Sequence, residues 1–380
     1  MINKVIYLFY TKVYDFEYEK YGLNLMKEKG MEVEAWSLEH IFFPNFKADR
    51  RDVIVNGMPT FYLNNYFKFV QKVFKQKRKK AIFILNMPVH NIKVNICEAI
   101  IKLLGFRYCM TYLQPVLNEG TMGRLKYSKL NKIWWEDFMD RLFQPEYNFV
   151  ATKVNFLDYS SKDRIQKNNN IMIHTLDYDR FLKERNEPCI MEEDYILFLD
   201  EYEPFHSDGE LLNLVNPNKN AERYYSQLNK LFSMLEKYTG YSVVIAEHPR
   251  ADYSDKEHYL YGRRHFRNKT IVLVRDCKFA ITHCSLAQDY IVLFDKPFII
   301  ICNNGIKNAP LWRYMILPYL KMFECESLNL DEIYDWKKVK ETISYNKNNS
   351  YKKFYKKYIK SLGSENKLFF QIVYEYIMKI

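Results

Sequence analysis

Short apolar runs recur along the chain, each separated from the next by a segment of helical spacing. This alternation restricts the fold more than any other feature. Val5–Phe9 is such a run, too short to cross a membrane and uninterrupted enough to lie in a parallel sheet covered on both faces. Glu17–Lys29 has helical spacing and stops at Gly30, a residue suited to ending helices. Glu32–Trp36 reads as a strand, Tyr66–Phe74 as a helix and Ala81–Leu85 as a strand. Asn91–Leu104 follows as a helix with Ile92, Ile96, Ile100 and Leu104 on one face, ending at Gly105. Tyr108–Tyr112 is a strand, Leu130–Leu142 a helix, and Tyr147–Ala151 and Ile171–His174 are strands. A β-α-β rhythm of this kind predicts an open, mostly parallel sheet.

Asp177–Asp194 is charged, contains Pro188 and lacks periodicity, so it reads as a linker between domains. A second alternating series follows. Tyr195–Leu199 is a strand, and a helix carries Tyr224, Leu228, Leu231 and Leu235 before Gly240. Ser242–Ala246, Thr270–Val274, Phe279–Thr282 and Phe298–Cys302 read as strands, with a helix over Ser285–Leu293. The last fifty residues look helical and basic. The expected organisation is an α/β chain of two doubly wound domains. Residues 1–176 form the first, 177–194 the linker, 195–330 the second, and 331–380 a basic helical tail.

A chain of 380 residues holds two ordinary domains, and 48% apolar with 27% charged residues is a globular composition. No apolar stretch reaches the ~18–20 residues that a membrane-spanning helix needs. The first apolar run is followed by Asp15, Glu17 and Glu19, with no small-residue cleavage site, so it reads as a buried strand and not a signal peptide. A cytoplasmic protein is expected. The seven cysteines are scattered without C-x-x-C, mostly inside apolar runs, as small hydrophobes would be. His265, Cys277, His283 and Cys284 match no usual zinc spacing, and no metal site is expected. The net charge of +11 and pI near 9.0 imply attraction to an anionic partner. The charge is concentrated at Lys75–Lys80 and over Lys337–Lys360, where nine lysines face one acid, Glu341. An anionic membrane surface is one partner of that kind and nucleic acid another. A solvated lysine-rich helix face accounts for the same residues.

Ligands of open α/β sheets bind beyond the carboxyl ends of the strands. Three strand ends in the second series are unusually polar. After Tyr195–Leu199 comes a loop with Asp200, Glu201, Glu203, His206, Asp208, Gly209 and Glu210. It offers carboxylates able to take a proton from an attacking hydroxyl, or else an acidic cap for the next helix. After Ser242–Ala246 comes Glu247-His248-Pro249-Arg250, where the proline stiffens the backbone and the histidine and arginine suit a phosphate. A plain turn would look the same. After Phe279–Thr282 come His283, Cys284 and Ser285 at a helix start, able to cap that helix or to hold a phosphate.

The order of these elements resembles the bacterial sialyltransferase and Kdo-transferase families of GT-B fold. These families share an acidic D/E-D-G element, an HP element and a serine/threonine element. Here the matches are Ser207-Asp208-Gly209, His248-Pro249, and Thr282 with Ser285, with Ser207 in place of the first acid and Cys284-Ser285 in place of a serine pair. The likeness covers roughly Tyr195–Cys302 and extends to polysaccharide-biosynthesis glycosyltransferases. It implies two Rossmann-like domains facing a cleft and a metal-independent transfer of an acidic sugar from a CMP-activated donor, with no separate cofactor. Asp208 would be the acid/base residue, with Asp200 and Glu201 as rivals. His248, Pro249, Arg250, Thr282, His283 and Ser285 would hold the donor. The partners so implied are a nucleotide-sugar donor and an oligosaccharide or lipid-linked acceptor. From its charge, the basic C-terminal segment is expected to hold the chain against the inner face of an anionic membrane, and with no recognised nucleic-acid motif no specific nucleic acid is expected.

Other readings compete. A UDP- or GDP-sugar transferase or epimerase would use the same strand ends. Asp177-Tyr178-Asp179 is a D-x-D of the kind that holds a divalent cation in GT-A enzymes. Neither glycine-rich phosphate fingerprint occurs, and Glu119–Gly123 is the one glycine-bearing loop of interest. A basic, aromatic-rich nucleic-acid binder is the non-enzymatic alternative.

Overall fold

The computed structural model describes residues 2–45, 50–87, 92–113, 142–151, 169–205, 220–283, 285–308, 312 and 316–380. These fall into two compact units. One gathers the residues up to Leu176 together with Lys360–Ile380, and the other runs over Asp177–Ile359. No helix among the described residues is long and apolar enough to cross a membrane.

The first unit is built on an eight-stranded sheet. Its strands are β1 (Lys4–Phe9), β2 (Glu32–Ser37), β3 (Val53–Val55), β4 (Met58–Tyr62), β5 (Ala81–Asn86), β6 (Arg107–Tyr112), β7 (Asn148–Val150) and β8 (Asn170–Met172). Their spatial order is β3-β4-β2-β1-β5-β6-β7-β8, parallel except for β3. The chain winds outward from β1 in one direction and then from β5 in the other, as a doubly wound sheet must. Val5–Phe9 is buried throughout because helices cover both faces. Helices α1 (Asp15–Lys20) and α2 (Leu23–Glu28) lie on one side, and α3 (Glu39–Phe42), α4 (Tyr66–Phe74) and α5 (Ile92–Leu103) on the other.

Four expectations change here. The single helix over Glu17–Lys29 is two, broken at Gly22, whose φ of 67° is left-handed. A β-carbon on Gly22 would lie 2.3 Å from the Cβ of Phe370, so the break lets the C-terminal helix pack close. The β3–β4 hairpin was not expected, although its Asn56-Gly57 turn, both residues at positive φ, is a strong hairpin signal. Only half of the stripe Ile92–Ile96–Ile100–Leu104 meets the core: Ile100 and Leu104 pack against it, partly buried, while Ile92 and Ile96 are exposed. Val94, Cys97 and Ile101 are the fully buried face of α5. The segment read as a linker begins with a helix over Leu176–Glu184. The helix expected over Leu130–Leu142 lies outside the described residues except for its last position.

The second unit holds a six-stranded parallel sheet of β9 (Tyr195–Leu199), β10 (Ser242–Ala246), β11 (His265–Phe266), β12 (Ala280–Thr282), β13 (Phe298–Cys302) and β14 (Ser327–Asn329). Its order, β11-β10-β9-β12-β13-β14, is that of a Rossmann sheet. The long helix Ala221–Thr239 caps itself with Asn220 and ends at Gly240 in the left-handed region. Thr270–Val274, read as a strand, is the body of a helix over Thr270–Asp276 with Ile271–Val274 buried. The crossover from β11 to the parallel strand β12 takes a helix there, and packing overrides the weak helical preference of this β-branched run.

The C-terminal residues divide between the units. Through Ile359 they stay with the second, and Ser350–Ile359 puts Tyr351, Phe354, Tyr358 and Ile359 inward and four lysines outward. The last helix, Phe369–Ile377, joins the first unit. It buries Phe369, Phe370, Ile372, Val373 and Ile377 beside β1 and α2, each worth roughly 1.5–3 kcal/mol. The substitution Gly22→Ala should therefore lower the melting temperature, through both the positive φ and the overlap with Phe370. Most of the overlap part should vanish in a Phe370→Gly background, which removes the Cβ that Gly22 would meet, and equal penalties in the two backgrounds would contradict this packing.

Candidate functional site

The strand order brings the three polar strand ends together. β10, β9 and β12 are neighbours, so the residues after Ala246, Leu199 and Thr282 emerge side by side at one edge. Between β9 and β12 the winding reverses, and this reversal is where doubly wound sheets bind ligands. Asp200 and Glu201 stand at that point.

Asp200 is buried beside a small cavity lined by Phe198, Tyr225, Tyr253 and Leu260. Its Oδ1 accepts from the Tyr202 N–H at 2.9 Å and its Oδ2 from the Tyr253 hydroxyl at 2.9 Å. Tyr253 in turn is 2.9 Å from the Tyr225 hydroxyl. Burial raises the Asp200 carboxyl to about 6, against the pull of these donors and of the His248 N–H. Tyr202 pays for the tight loop with a φ of 52°, held by its own hydroxyl on the Asp252 carbonyl at 2.7 Å.

Glu201 turns the other way. Its Oε1 accepts from the His283 N–H at 3.1 Å and from the Thr282 hydroxyl at 3.4 Å, tying the end of β9 to the end of β12. The Thr282 Oγ1 also accepts from the Ser285 N–H at 3.2 Å, and the Ser285 Oγ from the Ala287 N–H at 3.2 Å. These bonds shape the turn into the helix Gln288–Leu293.

The second strand end is a turn. His248 and Arg250 are partly exposed and Pro249 is exposed. The His248 Nδ1 accepts from the Arg250 N–H at 3.2 Å, which leaves the proton of a neutral ring on Nε2. Glu247, buried, accepts from Arg267 Nε at 3.0 Å and pairs with His265. It anchors the turn and is not displayed to a ligand.

His283 does not present its ring to the site. The ring is buried, with Nδ1 2.8 Å from the Ile301 carbonyl and Nε2 2.8 Å from the Tyr224 hydroxyl. Burial lowers its pKa to about 4, so it is a neutral core residue joining two elements. Asp208 and its neighbours Ser207 and Gly209 lie outside the described residues, as do Cys284 and the Glu119–Gly123 loop. Asp177-Tyr178-Asp179 forms the first turn of a helix, with the Asp177 carboxylate taken by the Tyr290 hydroxyl at 2.8 Å. No group of three or more His, Cys, Asp or Glu among the described residues is arranged to hold a metal.

Two features escaped the sequence reading. Gln288 is buried one turn beyond Ser285, and neither its Oε1 nor its Nε2 has a hydrogen-bond partner. A buried, unpaired amide is costly, so a ligand or water is needed to complete it. The other feature lies past β13 and β14, where Asn304 and Asn329 join Asp331 and Glu332 in one network. The Asn303-Asn304 pair after the apolar run Phe298–Cys302 was the available signal.

No family model matches the chain, and no curated protein matches it in sequence. Solved structures do resemble it. The wall teichoic acid polymerase TagF is 14% identical with a TM-score of 0.56, over 99% of this chain and 89% of that one. The UDP-GlcNAc 2-epimerase of Methanocaldococcus jannaschii is 14% identical with a TM-score of 0.54, over the whole of both chains. S. aureus MnaA, solved with UDP, is 12% identical with a TM-score of 0.52, over 100% of this chain and 97% of that one. The fold is GT-B, with two Rossmann-like parallel-sheet domains.

Asp200 and His283 make opposite pH predictions. Folding holds the Asp200 proton above the ordinary value of 3.8, so acidification from about 6 favours the fold. The His283 ring resists protonation, so its contribution is lost as pH falls from 6.5 toward about 4. The two effects oppose each other over this pH range. Asp200→Asn should therefore make the second unit more acid-sensitive than wild type, seen as a steeper fall in melting temperature between these pH values. An unchanged pH profile would show that Asp200 is not held in this state.

Proposed function

We propose that this chain binds a sugar activated by a nucleoside diphosphate at the carboxyl edge of its second sheet, and transfers the glycosyl unit to an acceptor hydroxyl. The observation that carries the reading is the convergence of three polar strand ends on β10, β9 and β12, at the point where the winding reverses. The resemblance to MnaA solved with UDP supports the nucleoside-diphosphate part of that donor.

In this scheme the His248 Nε2–H, Arg250 and the Thr282–Ser285 turn receive the phosphates. As the acceptor oxygen bonds to the anomeric carbon, the bond to the phosphate oxygen breaks and its electron pair leaves with the nucleotide. Donors placed at that oxygen favour the transition state over the bound donor. The acceptor proton passes to a carboxylate, for which Glu201 and Asp208 are the candidates. Asp200 is proposed as a positioning residue, since its buried oxygens already hold the Tyr202, His248 and Tyr253 donors. Gln288 completes its amide hydrogen bonds on the bound nucleotide sugar. The narrower reading of a CMP-activated acidic sugar rests on the Ser207-Asp208-Gly209 element, outside the described residues, and the diphosphate donor is preferred here. Epimerisation of the donor is the second reading, favoured by the likeness to the archaeal 2-epimerase over the full length of both chains.

Thermal-shift measurements with UDP, CDP, GDP and CMP test the site. A nucleoside diphosphate should raise the melting temperature, and His248→Ala should weaken that binding on the order of tenfold or more, as for a lost charge-assisted bond. Stabilisation by CMP alone would restore the narrower reading, and full binding by the variant would misplace the phosphate site. Incubating the donor sugar with no acceptor separates the chemistries, since an epimerised product then appears only under the second reading. Activity that survives EDTA would support the metal-independent course.

A further inference from the structure

We infer that the outer face of α4 and α5 is a docking surface for an anionic phospholipid bilayer. Both helices cover the same face of the first sheet. Phe69 and Val73 of α4 enter one core cluster with Val94, Cys97 and Ile101 of α5. The opposite sides of both helices therefore face solvent together, and they are apolar where a solvated face would be polar. Phe67 and Phe74, seven residues apart on α4, are 70% and 68% exposed. Ile92, Ile96 and Leu103 lie on one stripe of α5, with Leu103 75% exposed.

Cations surround these side chains. Lys68, Lys75, Lys77, Arg78, Lys79 and Lys80 are all exposed, and none forms a salt bridge with a described residue. The one acid in Tyr66–Lys80 and Ile92–Leu103 is Glu98, which is buried. The C-terminal ends of both helices lie by the basic turn, which Phe74 directly precedes. The Arg78 side chain lies beside Gly105, where an added β-carbon would be 3.4 Å from its Cδ, and Leu103 is two residues away.

This composition selects the occupant. Lysines and an arginine without exposed acids attract lipid phosphates, while phenylalanine, isoleucine and leucine among them gain by entering the boundary between headgroups and acyl chains. A nucleic acid would use the cations and leave the aliphatic side chains in water. The same contrast separates this face from Ser350–Ile359, whose exposed lysines accompany no exposed large apolar side chain.

The test is co-sedimentation of the full chain with vesicles rich in phosphatidylglycerol and with pure phosphatidylcholine vesicles. The protein should pellet with the first and remain largely in solution with the second. Two variants read the two halves of the surface: Phe67→Ser with Phe74→Ser and Leu103→Ser, and Lys75→Glu with Lys77→Glu and Lys79→Glu. All these positions are exposed, so thermal melting should be unchanged. Each variant should lose vesicle binding on the order of tenfold. A wild-type chain that ignores phosphatidylglycerol vesicles overturns the inference. So does an apolar variant that binds as well as wild type, because attraction is then purely electrostatic and an RNA oligonucleotide would serve equally. The outcome does not depend on which sugar nucleotide the second unit binds.

Discussion

The β9 and β10 ends of the second sheet are organised around one buried carboxylate. Asp200 sits at the end of β9 with almost no exposure, and an ionised carboxylate there would be prohibitive without donors. It has them from different stretches of chain: the Tyr202 N–H in its own loop, the His248 N–H beyond β10, and the Tyr253 hydroxyl further on. Satisfying these bonds sets where the His248 turn stands relative to β9. It also holds Tyr202 in a left-handed conformation that an isolated tyrosine would leave. The raised pKa follows from the same burial, so the feature that looks like catalytic tuning is first a structural one.

Glu201 extends the arrangement in the opposite direction. Successive residues past a strand end point to opposite sides, and here one carboxylate reaches toward β10 while the next reaches to the Thr282–His283 backbone at β12. The Asp-Glu pair thus fastens both neighbours of β9 across the reversal of winding. Three peptide N–H groups and two hydroxyls are oriented by these two carboxylates. In the proposed reading the ligand meets the His248–Arg250 turn, the Ser285 turn and the buried amide of Gln288. On the proposed function, a site fastened in this way would need little rearrangement to accept the charge of a leaving phosphate.

The strands were legible because a parallel strand covered on both faces is an apolar run, and runs such as Val5–Phe9, Tyr195–Leu199 and Phe298–Cys302 have no competing pattern. Thr270–Asp276 failed for the same reason, since a short buried helix and a buried strand present the same run of β-branched residues. Which strand ends carry polar residues was also legible. That those ends are adjacent was not, because adjacency follows from strand order and no local pattern encodes it. The fate of His283 shows the limit most sharply. Its place between Thr282 and Ser285 looks like a phosphate ligand, but Tyr224 and the Ile301 carbonyl, both far away in sequence, take its two ring nitrogens.

The periodicity of α5 makes a different point. The stripe Ile92–Ile96–Ile100–Leu104 is a regular apolar face, and choosing it as the core side was reasonable from spacing alone. Yet Val94, Cys97 and Ile101 are the residues fully buried in the core, and Ile100 and Leu104 reach it only in part. Ile92 and Ile96 are left outside, and on α4, which covers the same sheet face, Phe67 and Phe74 are a similar surplus. Such a surface raises the free energy of the solvated chain unless something covers it. The basic residues around it are the reason for proposing a partner that is both anionic and apolar.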